Sequence, residues 1–249
     1  MIYLDNAATS FHKPDCVPRA VVEAMQHAGN SGRGSSGEAM AASRLIFNTR
    51  CQIAEMFDVW GPECVAFTSN DTEALNIALQ GTLHPEEGTI HAICTEMDHN
   101  SVLRPLYRLE KKGMELTILP ADRKGRISLT ELEAAIRPET KVIVCTHASN
   151  LTGNLNDIHA IGAIAQKHQK LFIVDAAQTA GVFPISMKKD HIDILCFSGH
   201  KGLMGPQGTG AICVRPGVSV EPLKVGGSGV LTFQREHPQD MPEALEAGT

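Results

Sequence analysis

Several apolar runs in this sequence end in side chains that can do chemistry. The stretch FSGHKGLMGPQGTGAI sets Ser198, His200 and Lys201 where the run IDILCF stops and a glycine-rich loop begins. An amine at such an edge is partly desolvated, its pKa falls, and the free base attacks carbonyl carbon. A solvated surface lysine is the ordinary alternative. The run LFIV ends in Asp175, with Gln178 three residues on. A carboxylate at the rim of an apolar interior needs a cationic or hydrogen-bonding partner, or its pKa rises. Its ordinary use is to cap a short helix opened by DAAQTAG.

Three further stretches follow the same pattern. CVAFT leads into Ser69, Asn70, Asp71 and Thr72 at a turn into a helix. The start of a helix offers free N–H groups and a positive dipole end, which suit a phosphate. The alternative is that Thr72 or Ser69 merely caps it. TIHAICTEM leads into His99, which can stack on a flat ligand, transfer protons near neutral pH, or lie satisfied at the surface. KVIVCTHAS leads into Asn150.

The elements that must position these residues alternate. Short apolar strands (CVAFTS, TIHAICTE, ELTILP, KVIVCTHAS, KLFIVDAAQ, IDILCFSG, GTGAICVRPG) are separated by stretches with helical spacing. Among the helices, SLTELEAAI opens on a capping box of Ser128 and Glu131, and Gly113 marks a C-terminal cap. Continuous apolar strands between helices predict an α/β fold with a mostly parallel sheet covered on both faces. In such sheets, sites gather at the carboxyl ends of the strands. A phosphate seat, a flat-ring neighbour, a carboxylate and a nucleophilic lysine then share one edge. A ligand that needs all four is pyridoxal phosphate.

The totals narrow the field. The 249 residues carry a net charge of −6 and 4% aromatic side chains, so neither a basic stripe nor a stacking platform for nucleic acid is present. No apolar run approaches the ~18 residues of a membrane span, and MIYLDNAATS lacks the basic and apolar regions of a secretory signal. Seven scattered cysteines without a CxxC pair argue against a metal site or a disulfide framework, and for free buried thiols in a reducing cytoplasm. The Gly/Ser-rich stretch 27–43 predicts a flexible surface loop or a lid, and the chain beyond VEPLKVGGSG is loop-like.

At this point the motifs match a family. YLDNAATS, FTSNDTEALN, MDHNSVLRP, HASNLTGN, VDAAQTAG, SGHKGLMGPQGTG and EAGT occur in the order of the cysteine desulfurases and related class V aminotransferases, which the chain resembles from Tyr3 to Thr249. These are fold-type I pyridoxal-phosphate enzymes. The resemblance implies a large domain around a mainly parallel seven-stranded sheet with helices on both faces. Residues 1–14 would be an N-terminal arm belonging to a small domain. Residues 15–249 would be the cofactor-binding domain, ending in a segment that crosses toward a C-terminal part absent here.

The roles follow by resemblance. Lys201 is the Schiff-base lysine. Asp175 pairs with the ring nitrogen, Gln178 bonds the phenolic oxygen, and Asn150 lies close to that oxygen or to the substrate. His99 stacks on the ring and relays protons. Thr72, Ser198 and His200 hold the phosphate with backbone N–H groups of the turn at Asn70 and Asp71. Thr249 reaches the phosphate of a neighbouring subunit, which implies a homodimer.

The implied activity is conversion of cysteine to alanine with transfer of sulfur to an enzyme cysteine, or the selenocysteine equivalent, with a sulfur-acceptor protein downstream. Class V transamination of a small amino acid is the alternative within enzymes, and a non-catalytic remnant of the cofactor domain is the alternative outside them.

Two departures qualify the match. Relatives continue well past residue 249, and that part carries the sulfur-attacking cysteine and the arginine for the substrate carboxylate. Many relatives also have glycine and a small residue where this chain has Asn70 and Asp71. Like charges ~4 Å apart at an effective dielectric of ~20 cost on the order of 4 kcal/mol. Asp71 is therefore expected to point outward, away from a bound phosphate.

Overall fold

Seven strands form because short runs rich in Val, Ile, Phe and Thr suit a pleated, buried surface. In the computed structural model, which describes residues 2–31, 35–231 and 233–248, they are β1 (Val65–Thr68), β2 (His91–Thr95), β3 (Glu115–Leu119), β4 (Thr140–Thr146), β5 (Leu171–Asp175), β6 (Ile194–Ser198) and β7 (Gly210–Val214). Six helices accompany them: α1 (Cys16–His27), α2 (Gly37–Met56), α3 (Asp71–Thr82), α4 (Asn100–Glu110), α5 (Leu129–Ala135) and α6 (Ile158–Lys167). Thr249 lies outside the described residues.

The strands join in one sheet in the order β1-β7-β6-β5-β4-β2-β3. β7 runs antiparallel to β1 and β6, and every other pairing is parallel. The carboxyl ends of β1 to β6 therefore share one edge, and β7 starts there. Successive side chains alternate between two cores. Phe172 and Val174 enter one with Ala54 of α2, Leu132 of α5 and Ile161 of α6. Ile173 enters the other with Leu75 and Ala78 of α3 and Leu106 of α4. Both faces are covered, as the unbroken apolar strands require.

Several expectations hold. Ser128 accepts the N–H of Glu131 at 3.2 Å and caps α5. Gly113 takes a positive φ of 104° just after α4, and among the described residues no helix or strand follows β7.

Others need correction. Stretch 27–43 is not all loop: α2 starts at Gly37, because Ser36 in an extended conformation accepts the N–H of Ala39. The cap of α3 is Asn70, not Thr72 or Ser69. Its Oδ1 accepts from Glu73 N at 2.9 Å, and the Glu73 carboxylate in return accepts from Ser69 N at 2.6 Å. Asp175 opens a turn, not a helix, by accepting the N–H of Ala177 at 2.9 Å. Five of the seven thiols are buried as expected, but Cys16 is exposed and Cys51 half-buried.

One contact fixes where α3 begins. A Cβ on Gly210, the first residue of β7, would lie 2.8 Å from the Asn70 carbonyl carbon and 2.9 Å from its Cα. Gly210 thus lets β7 press against the capping residue. Gly210→Ala should destabilise the fold by about 1–3 kcal/mol through overpacking. Urea unfolding measures it, and an unchanged midpoint would show that the turn has room to give.

Candidate active site

The carboxyl edge of the sheet opens into a cleft of about 520 Å³. Asp71 and Thr72 of α3, His99 and Ser101 at α4, Asn150, Asp175, Gln178, Ser198, His200 and Lys201 all line it, as does Asn70. Every described residue to which the resemblance gives a site role is therefore in one place. A second hollow of about 610 Å³ lies at the opposite edge, between Gly81, Thr140, Lys170 and Arg215. It contains no residue of this constellation.

Asp175 ends β5 at 2% exposure. Burial pushes its carboxyl up; the Ala177 N–H, the Lys201 amine and His99 pull it down. Parallel pairing sets Asp175 beside Cys196 of β6. The chain beyond β6 then carries Ser198, His200 and Lys201 past the aspartate. The Ser198 hydroxyl accepts the Asp71 N–H at 3.2 Å, tying β6 to the start of α3.

The N-terminal arm closes the cleft from the other side. The His200 carbonyl accepts from Ser10 N at 3.2 Å and Lys13 Nζ at 3.3 Å, and the His200 ring meets the Thr9 hydroxyl at 2.9 Å. The Ser10 hydroxyl also donates to the Lys201 carbonyl. Gln178 Nε2 donates to the Ala7 carbonyl at 2.9 Å. Burial, with Lys201 and Lys13 nearby, lowers the pKa of His200 and favours its neutral ring.

His99 caps α4. Its Nδ1 accepts the Ser101 N–H at 3.2 Å, so the ring proton resides on Nε2. Ser101 also bonds Thr72 Oγ1 at 2.8 Å, which links the two helix starts. Sequence reasoning assigned nothing to Ser101, although it stands two residues from His99.

Asp98 was likewise missed. It accepts from Thr95 N at 2.7 Å, Thr95 Oγ1 at 2.8 Å and Thr146 N at 2.5 Å, and so joins the ends of β2 and β4 directly before His99. Burial outweighs these hydrogen bonds and pushes its pKa up to about 7.

The Asp71 expectation is overturned. Asp71 is 5% exposed and faces inward, toward Asp175 and Lys201. As the first residue of α3 it packs against the ends of β5 and β6, and the Ser198 hydrogen bond holds its backbone there. Burial, then the Asp175 charge, raises its pKa strongly. Turning to solvent therefore does not relieve the like-charge cost.

This sheet order, with a lysine and an aspartate converging at its carboxyl edge, defines the fold-type I class of pyridoxal-phosphate enzymes. Comparison with known proteins narrows the class. The chain belongs to the class-V aminotransferase family, whose model matches residues 2–249. It is 35% identical over 230 residues to a putative cysteine desulfurase IscS 1 of Bacillus subtilis, covering 91% of this chain and 59% of that protein. It is 32% identical over 253 residues to a probable cysteine desulfurase of Methanothermobacter thermautotrophicus, covering 100% and 62%.

Among solved structures, SspA in complex with cysteine superposes with a TM-score of 0.86 at 31% identity, covering 100% of this chain and 68% of that one. The apo cysteine desulfurase of Thermococcus onnurineus NA1 gives 0.86 at 33%, covering 100% and 63%. The chain spans about three fifths of the length of the curated relatives it matches.

Removing the Asp98 carboxyl orphans three donors. Asp98→Ala should cost about 1–3 kcal/mol. The pKa of Asp98 is raised on folding, so its stabilisation is complete below about pH 4 and is lost as pH rises through about 7. Urea unfolding should therefore show a wider gap between wild type and variant at pH 5 than at pH 8. A gap that widens with pH would contradict the assignment.

Proposed function

We propose that this chain is the cofactor-holding part of a pyridoxal-phosphate-dependent cysteine desulfurase, with residues 1–14 as an arm and 15–249 as the binding domain. The observation that carries the reading is the convergence of Lys201, Asp175, Gln178, His99 and the α3 start on one cleft. The family's reliance on pyridoxal phosphate and the desulfurase relatives support it.

The residues present fit that group. The α3 start offers N–H donors together with Thr72, Ser198 and His200 for the phosphate. Asp71 adds no opposing charge there while it keeps its proton. Asp175 suits a ring nitrogen, Gln178 and Asn150 a phenolic oxygen, and His99 a ring face. Lys201 supplies the amine.

When bound, pyridoxal phosphate supplies an electron sink for charge developing at the substrate α-carbon. The chain's residues do the rest. The Lys201 amine takes the α-proton and later returns a proton to carbon. The Asp175 carboxylate would hold the ring nitrogen in its protonated form. His99, held with Nε2–H outward, donates from that atom.

Overall, cysteine and a thiol become alanine and a persulfide. The carbon–sulfur bond breaks, carbon takes a proton, and a new sulfur–sulfur bond forms. Thiolate is the attacking form. None of the cleft-lining residues is a cysteine, so the thiolate comes from another part of the protein.

We place the reaction in the cytoplasm, where the buried thiols stay reduced. No helix among the described residues is long and apolar enough to cross a membrane. A homodimer accounts for the exposed Ile2 and Leu4 of the arm and for Met25 and Phe47. A thiol-bearing acceptor protein then receives the sulfur.

The purified protein mixed with pyridoxal phosphate should gain a visible absorption band, and Lys201→Ala should lose it without losing the fold. Given cysteine, the whole protein should release sulfide and alanine in equal amounts once a reductant is present. Formation of a keto acid would instead mark an aminotransferase. A folded wild type that gains no band would mark a non-catalytic domain.

A further inference from the structure

Asp71 holds the one buried side-chain oxygen or nitrogen among the described residues that lacks a hydrogen-bond partner, Oδ1. It is 5% exposed and lines the cleft. An orphaned charged oxygen in such a place costs more than a neutral one. The groups around it decide what it does.

From β5 it faces the Asp175 carboxyl, and from β6 the Ser198 hydroxyl and the Cys196 thiol. From the loop after β6 it faces Lys201. From α4, His99 reaches Asp175 rather than Asp71. β1 brings no titratable side chain, and Cys213 of β7 lies in the other core. On α3 itself, Glu73 is engaged with Ser69 and Lys224.

Two carboxyls that meet in a buried site share a proton, because both cannot ionise. Asp175 already accepts the Ala177 N–H at 2.9 Å, which favours its charged form. No donor reaches Asp71 Oδ1.

We propose that Asp71 carries the shared proton and donates it as a hydrogen bond to the Asp175 carboxylate, acting as a positioning residue for that group. Its relevance to catalysis rests on the desulfurase-type reading above; its protonation does not. The donated bond holds Asp175 ionised and fixes its direction toward the cleft. It also keeps a second negative charge away from the start of α3, where a phosphate would sit. The aspartate in FTSNDTEALN thus becomes a device for setting the charge of its neighbour.

Two measurements test this. The first is infrared difference spectroscopy of wild type minus Asp71→Asn, without cofactor and with ¹³C-labelled aspartate. A protonated carboxylic acid band present near neutral pH in wild type and absent in the variant is expected. A band that appears only as ionised carboxylate overturns the proposal, whether or not the protein binds pyridoxal phosphate.

The second is the affinity for pyridoxal phosphate against pH, for wild type, Asp71→Asn and Asp71→Ala. Asparagine still donates to Asp175, so its profile should follow wild type. Alanine removes the donor, lets Asp175 take up a proton at higher pH, and should weaken binding about tenfold or more on the acid side. If both variants bind more tightly by the same factor, Asp71 was ionised and the proposal fails. If both lose melting temperature with unmoved profiles, Asp71 is only structural and the proposal fails. A wild type that shows the acid band but binds no pyridoxal phosphate refutes the functional reading alone.

Discussion

A carboxylate at the end of a buried strand is the constraint around which this molecule is arranged. Asp175 finishes a strand of Leu, Phe, Ile and Val at 2% exposure. It can remain charged there only beside donors and cations. The Ala177 N–H, the Lys201 amine, His99 and the Asp71 carboxyl are the groups that act on it. Lys201 gains its place by topology. β6 lies alongside β5 in parallel, with Asp175 opposite Cys196, so the chain leaving β6 must pass the aspartate. The sheet order thus brings acid and amine together without any contact between them in sequence.

The sheet alone does not finish the cleft. Three tethers from outside it set the remaining side chains. Asp98 clamps the ends of β2 and β4 just before His99. The arm bonds the His200 and Lys201 carbonyls and the Gln178 amide. Glu246, near the far end of the chain, accepts Phe67 N at 2.6 Å and pairs with Arg50 at 2.6 Å, which steadies β1 ahead of the Asn70 turn. Each tether joins residues far apart in sequence, so each depends on the whole fold being present.

What could be read from the sequence follows from this division. Strands were legible because both faces are buried and the runs are continuously apolar. Lys201, Asp175, His99 and the turn at Asn70 were legible because each directly follows such a run. The α2 helix was hidden because a glycine- and serine-rich run leads directly into its start, which the Ser36 cap defines. Asp98 and Ser101 were hidden because their partners, Thr146 and Thr72, come from other elements. The direction of Asp71 was misread for the same reason. Charge repulsion from a phosphate was weighed, but the packing of the first turn of α3 against β5 and β6 was not visible.

The central claim is that Lys201 and Asp175 serve one bound aldehyde cofactor. Borohydride reduction of the protein after incubation with pyridoxal phosphate, followed by peptide mass mapping, tests it most directly. The account predicts a single pyridoxyl modification, on the peptide carrying Lys201, and its loss of preference for that site in Asp175→Ala. Modification spread over surface lysines, with Lys201 no more labelled than the rest, would contradict it.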